Sequence, residues 1–263
     1  GTDSAQSVRN PASMCGIVGL KPTYGRVSQF GGVVGTGAFS TNHVGVLSKT
    51  VEDCALVLEA VAGHDAMDPL SADEPVPQYS QTIGKEVKGL RVGILRGYFE
   101  DVLAREVKMS MSNAVEVLKS LGMNEEEVSI PHMDLIPAVK LATSRIENVS
   151  AHEPHLRTRP RDYSPQTLYS YICALLMPAA TYVTAQRVRR LIDEEFDELL
   201  KRVQVLVVPT VPFPVPTIEK CQQGFVEVDK KRLKRQDPRG PIDTLSTIPF
   251  NVTGLPALSV PCG

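Results

Sequence analysis

A chain of 263 residues with 42% hydrophobic side chains is long and apolar enough to bury a sizeable core, which excludes a disordered polyelectrolyte. Its 28 Lys and Arg against 30 Asp and Glu leave a formal net charge of −2, with no global attraction to a phosphate backbone or an anionic bilayer, so neither a direct nucleic-acid partner nor a membrane partner is expected. No apolar run approaches the roughly 20 residues of a membrane span, and no export signal is recognisable; five scattered cysteines, Cys15, Cys54, Cys173, Cys221 and Cys262, read as reduced thiols, and the expectation is a cytoplasmic protein.

Residues 1–45 are rich in Gly, Ser and Thr and lack a sustained helical period, so irregular backbone and tight turns are predicted there. A helix follows with Thr50 as its cap, Val51, Ala55, Leu58 and Val61 near one face, and Gly63 at its end. The Pro-, Asp- and Ser-rich stretch 71–81 is a surface connection. Residues 90–95 read as a buried strand, and 105–121 as a helix with Val107, Met111, Ala114, Leu118 and Leu121 at helical spacing. A short strand is predicted over 128–131, then helices over 135–149 and 179–203, the second opened by Pro178 and bearing Val183, Leu191, Phe196 and Leu199. Residues 205–209 revert to a strand. This alternation predicts an α/β fold, a central mixed sheet covered by helices on both faces, in one domain over residues 1–263.

The Pro-rich stretch 211–216 reads as an extended surface loop and the basic cluster 230–235 as a solvated face. His152-Glu153-Pro154-His155 lacks the H-E-x-x-H spacing that puts two imidazoles on one helical face, and Pro154 is expected to disturb a helix, so no metal site is assigned. Gly35-Thr36-Gly37 does not complete a phosphate loop and reads as a turn.

The segment that carries chemistry is Gly1-Thr2-Asp3-Ser4-Ala5-Gln6-Ser7-Val8-Arg9-Asn10-Pro11-Ala12, followed by Cys15-Gly16 and by Gly19-Leu20-Lys21-Pro22-Thr23-Tyr24-Gly25-Arg26-Val27-Ser28. It is very similar to the amidase signature, G-T-D-x-G-G-S-x-R-x-P-A and then C-G-x-x-G-L-K-P-T-Y-G-R-V-S. The resemblance continues in Asn42-His43-Val44-Gly45 and returns in Pro249-Phe250-Asn251-Val252-Thr253-Gly254-Leu255-Pro256, so it covers nearly the whole chain. The chain is therefore identified as resembling amidase-signature enzymes, with an amidase-signature α/β fold incomplete at both termini.

That resemblance implies an amide hydrolase working through an acyl-serine intermediate, with Ser7 as nucleophile and the backbone N–H groups of Ser4, Ala5, Gln6 and Ser7 lining the oxyanion hole. Asp3 and Arg9 match charged positions that bracket the nucleophile and are expected to pair and stiffen the loop. The family's base is a second serine, held by a cis peptide, with a buried lysine. Both belong to an upstream stretch this sequence does not contain, so the chain is expected to be an internal fragment, inactive alone. No metal and no organic cofactor are implied, and the partner is a small-molecule amide, with a homodimer left open. The second reading is the glutaminase-type A subunit of a tRNA-dependent amidotransferase, which works with partner subunits, although the Y-D-G-V-R-Y-G-like stretch of that subunit is missing. A third is a catalytically silent binding homologue, suggested by Ala5-Gln6 where the family has Gly-Gly. If either position needs a positive φ, a side chain there costs about 1–2 kcal/mol, and Gln6 crowds the pocket.

Overall fold

The computed structural model describes residues 1–32, 39–229, 231–234, 236–237 and 240–262. Gly35-Thr36-Gly37 lies outside them, as do Lys230 and Arg235 of the basic cluster. The fold is mixed α/β, with the strands gathered in several small sheets.

The opening stretch is more regular than its composition predicts. Strand β1 (Thr2–Asp3) leads through a turn into helix α1 (Arg9–Cys15), and β2 (Val18–Lys21) follows at once. Close approach makes this possible: a Cβ on Gly19 would sit 2.5 Å from Ala12 Cβ, so α1 lies directly on β2 only because residue 19 has no side chain. Strands β3 (His43–Val44) and β4 (Val46–Ser48) complete the region, β3 pairing with β1 and β4 with β2. On the other edge of β2 lies β12 (Ala257–Ser259), so a segment from the far end of the chain closes this sheet.

Helix α2 (Val51–Val61) starts where expected, because Thr50 is extended and its Oγ1 accepts from the Asp53 amide at 3.0 Å, while Glu52 and Asp53 sit at the positive end of the helix dipole. The parallel sheet is β6-β5-β7, formed by β5 (Arg91–Leu95), β6 (Asn124–Val128) and β7 (Val205–Val207). Strand β6 starts four residues before the stretch predicted from apolar character. Its Asn-Glu-Glu-Glu run is an edge, where pairing with β5 decides the conformation and Arg96 and Arg202 meet Glu127 and Glu126 at 2.5 and 2.9 Å. Helix α3 (Arg105–Ser120) turns Val107, Met111, Ala114 and Leu118 of its predicted stripe to the less exposed side, while Leu121 caps the helix and is exposed.

Helix α4 (Ile136–Thr158) extends beyond the predicted 135–149 and runs through Pro154, the residue expected to disturb a helix. Proline removes one donor, leaving the Ser150 carbonyl without its usual partner. One turn from the helix end that loss is small, and the Glu153–Arg157 pair and the Thr158 hydroxyl on the Pro154 carbonyl hold the last turn. Helix α5 (Pro165–Leu175), capped by Ser164, has no counterpart among the predicted elements. Helix α6 (Ala179–Leu200) buries Ala185, Ile192, Phe196 and Leu199; Val183 and Leu191 instead face outward, because the true 3.6-residue stripe runs 185, 192, 196, 199. The main core joins the parallel sheet, α4, α6 and Ile242, Leu245, Ile248 and Phe250, the last of them in α8 (Pro249–Val252). Between β7 and α8 lie α7 (Ile218–Gln222), the hairpin β8 (Phe225–Val228)–β9 (Lys231–Lys234) and the short pair β10 (Gln236–Asp237)–β11 (Gly240–Pro241), with β9 inside the basic cluster. No single helix among the described residues is long and apolar enough to cross a bilayer.

Candidate active site

Strand β1, the turn after it and the start of α1 carry every residue singled out from the sequence for the chemistry. Asp3 and Arg9, 0% and 2% exposed, lie on either side of the turn. The Arg9 guanidinium grips the Asp3 carboxylate with two contacts, Nε to Oδ2 at 3.0 Å and Nη2 to Oδ1 at 2.9 Å. Asp3 Oδ2 also accepts from the amides of Val8 and Arg9 at 3.2 and 3.4 Å. Arg9 spends its remaining donors on the carbonyls of Ala5 and Thr247 and on Asn251 Oδ1. Burial by itself raises the Asp3 carboxyl; the hydrogen bond and charge of Arg9, with Asn251 and the Val8 amide, outweigh it and hold the pKa at about 2.

Asn251, from α8, is the second clamp. Its amide nitrogen donates to the Asp3 carbonyl at 2.9 Å, to Asp3 Oδ1 at 3.1 Å and to the Thr41 carbonyl at 3.2 Å. Asn42 holds the turn from the other side, accepting from Ser4 Oγ at 2.8 Å. Between these clamps the amides of Ser4, Ala5, Gln6 and Ser7 donate to no protein acceptor among the described residues. Ser7 is exposed at the mouth of α1, and no described residue hydrogen-bonds its hydroxyl. Four consecutive amides without a described acceptor, beside a serine hydroxyl, are donors of the kind that can meet an oxygen gaining negative charge.

Neither Ala5 nor Gln6 has a positive φ; among the described residues only Asp229 does so without being glycine. The strain that a Gly-Gly replacement would relieve is therefore absent, and Gln6 Oε1 is tied to Asn10 Nδ2 at 2.5 Å. Ala5→Gly/Gln6→Gly is accordingly expected to lower stability by about 1–2 kcal/mol, through greater freedom of the unfolded chain and loss of the Gln6 contact. A denaturant midpoint at or above the parent's would show that the turn is strained after all.

Two further groups escape a reading of the sequence. Lys21, inside the G-L-K-P-T run, is 0% exposed and donates to the carbonyls of Leu255 at 2.6 Å and Pro22 at 3.3 Å. Burial pushes its ammonium down to about 6, with Arg9 adding to the fall and Asp3 opposing it. His43 is buried and pushed down to about 3 by burial and by the Lys21 charge, so it is neutral. Its Nδ1 lies 3.0 Å from the Thr41 carbonyl, which can only accept, so the proton sits there. The folded pKa of Lys21 lies below the unfolded 10.5, so between about pH 6 and 10.5 the unfolded chain binds the extra proton and stability rises with pH. The slope reaches at most about 1.4 kcal/mol per pH unit. Lys21→Met is expected to lose that slope between pH 7 and 9, measured by denaturant unfolding; parallel profiles for the two proteins would show that Lys21 stays charged in the fold.

Against known proteins, the family model described as Amidase matches residues 1–263. An amidase from Pseudomonas putida is 39% identical, with all of this chain aligned to 55% of that protein. The A subunit of glutamyl-tRNA(Gln) amidotransferase from Akkermansia muciniphila is 37% identical, with all of this chain aligned to 58% of it. The crystal structure of the corresponding subunit from Thermotoga maritima superposes with a TM-score of 0.79 at 30% identity, over 99% of this chain and 54% of that one. The chain thus spans a little over half the length of the relatives it matches.

Proposed function

The chain belongs to the amidase family, and from that membership we propose that it carries the nucleophile and oxyanion hole of an amide hydrolase. What supports the reading most directly is the exposed hydroxyl of Ser7 beside four consecutive amides, all without a partner among the described residues, on a turn fixed by a buried ion pair. In this reading Ser7 Oγ attacks the carbonyl carbon of a carboxylic amide as its proton leaves to a base. The tetrahedral oxyanion is met by the N–H groups of Ser4, Ala5, Gln6 and Ser7, each such donor worth a few kcal/mol in the transition state. The C–N bond then breaks, ammonia or an amine departs with a proton, and water hydrolyses the acyl-serine ester. Asp3 and Arg9 act by holding the turn.

No described residue supplies Ser7 with a base. Lys21 points its donors at two carbonyls, so the reading assigns the base to the second serine and lysine of the family pattern, which no residue of this sequence matches. The 263 residues alone are accordingly taken as inactive. The experiment is covalent labelling of the full-length protein with a fluorophosphonate: Ser7 is expected to be modified and the Ser7→Ala variant to stay unlabelled, and equal labelling of both would reject Ser7.

The likeness to amidotransferase A subunits supports a second reading, in which the same site releases ammonia from glutamine for a partner subunit. Glutamine hydrolysis that rises on adding such subunits would select it over the stand-alone amidase.

A further inference from the structure

Helix α4 brings one ammonium group to the loop behind the turn, where no carboxylate among the described residues contacts it. Lys140 Nζ donates to Thr41 Oγ1 at 2.9 Å and, one helical turn along, to Ser144 Oγ. Both partners are neutral, and among the described residues no carboxylate oxygen lies within 4.0 Å of Nζ. The charged groups nearby are already engaged. Glu147, on the same helix, accepts from the Ser40 amide and the Tyr182 hydroxyl, both at 3.1 Å. Arg189, on α6, donates to Ser40 Oγ, the Ser40 carbonyl and the Val252 carbonyl. Asp3 is neutralised by Arg9. Asp193, on α6, also faces Arg189, so in number the carboxylates Glu147 and Asp193 balance Arg189 and Lys140; none of the described carboxylates touches Lys140, whose contacts are hydroxyls.

This ammonium is linked to the proposed reaction centre through Thr41. Thr41 precedes Asn42, whose side chain holds Ser4 at 2.8 Å, and the Thr41 carbonyl accepts from Asn251. Lys140 itself is only partly buried, and two of the three N–H groups of its ammonium are used, so the third is open to a ligand. A lysine head is a point charge with rotatable donors, able to take a carboxylate without the fixed fork geometry of arginine.

We propose that Lys140 selects substrates whose acyl group ends in a carboxylate, so that the preferred amides are half-amides of short dicarboxylic acids. The proposal rests on the reading of Ser7 as the acyl acceptor. In it the far carboxylate docks on Lys140 Nζ while the amide carbonyl lies at the Ser4–Ser7 turn, and the substrate supplies the carboxylate contact that Lys140 lacks. A neutral amide leaves the cation unmatched and is discriminated against. The titration of the group agrees with this role. Burial lowers Lys140 to about 8, Glu147 opposing the fall, Arg189 adding to it and Asp3 opposing it again. The cation is present below about pH 8 and fades above it, and so should the selectivity, since kcat/KM reports the free enzyme.

The test compares kcat/KM for succinamate and for butyramide, of equal chain length, on the full-length protein and on Lys140→Gln, Lys140→Arg and Lys140→Glu. The parent is expected to favour succinamate by about tenfold or more at pH 7, with the ratio falling above pH 8. Lys140→Gln should bring the ratio to within about threefold of one, Lys140→Arg should keep most of it, and Lys140→Glu should invert it. A parent without preference, or a Lys140→Gln variant in which both substrates fall at constant ratio, overturns the proposal. If the parent turns over neither amide and Ser7 resists labelling, the reading of Ser7 is what fails. Calorimetric titration with succinamate then decides the present point: binding lost in Lys140→Gln supports it, and binding that is absent or equal in both proteins overturns it.

Discussion

Ser7→Ala in the full-length protein is expected to lower kcat for amide hydrolysis by at least about 10⁴-fold while leaving the fold intact. On the proposed reading the loss is large because Ser4, the other serine of the turn, commits its Oγ to Asn42, and the proposed oxyanion donors alone leave only a residual rate. The fold survives because Ser7 is exposed and none of the described residues bonds its hydroxyl, so the change should stay within about 0.5 kcal/mol in stability. Both quantities are read on one preparation, turnover by ammonia release and stability by a denaturant curve. Activity within tenfold of the parent, on a protein that unfolds at the same midpoint, would place the nucleophile elsewhere.

Arg9→Met should act in the opposite way, through the fold. Removing the guanidinium leaves the Asp3 carboxylate fully buried with its counter-charge gone, and breaks the links to Ala5, Thr247 and Asn251. Stranding one partner of such a pair costs about 3–5 kcal/mol. The pH dependence supplies a signature. In the parent, Asp3 is held at about 2, below its unfolded value near 3.8, so its contribution is present above that value and is lost as pH falls toward 2. In Arg9→Met, burial without the cation raises the folded pKa above the unfolded one. The variant should therefore gain stability as pH falls toward 4, and Arg9→Met/Asp3→Asn should recover a good part of the loss. A cost under about 1 kcal/mol, or a double variant no better than the single one, would mean that the pair is dispensable.

The sequence by itself determined what local chemistry can specify. Thr50 followed by Asp53 is enough to start α2, because a cap needs only residues three apart, and the stripe on α3 follows from period alone. The signature run placed Asp3, Ser4, Ala5, Gln6, Ser7 and Arg9 together, since seven residues of one turn have nowhere else to be. The tertiary structure decided everything that depends on contacts between distant parts of the chain. Helix α1 forms in a Gly- and Ser-rich stretch because Gly19 lets it lie on β2, and the acidic strand β6 is set by its ladder with β5. Asn251 reaches Asp3 from 248 residues away, Lys140 reaches Thr41 across 99, and Lys21 loses its charge preference because the packed fold buries it. Composition and periodicity report which surfaces avoid water; which polar groups meet behind those surfaces is set by packing, and a lysine such as Lys140, held by hydroxyls and touched by no described carboxylate, becomes visible only when its neighbours are known.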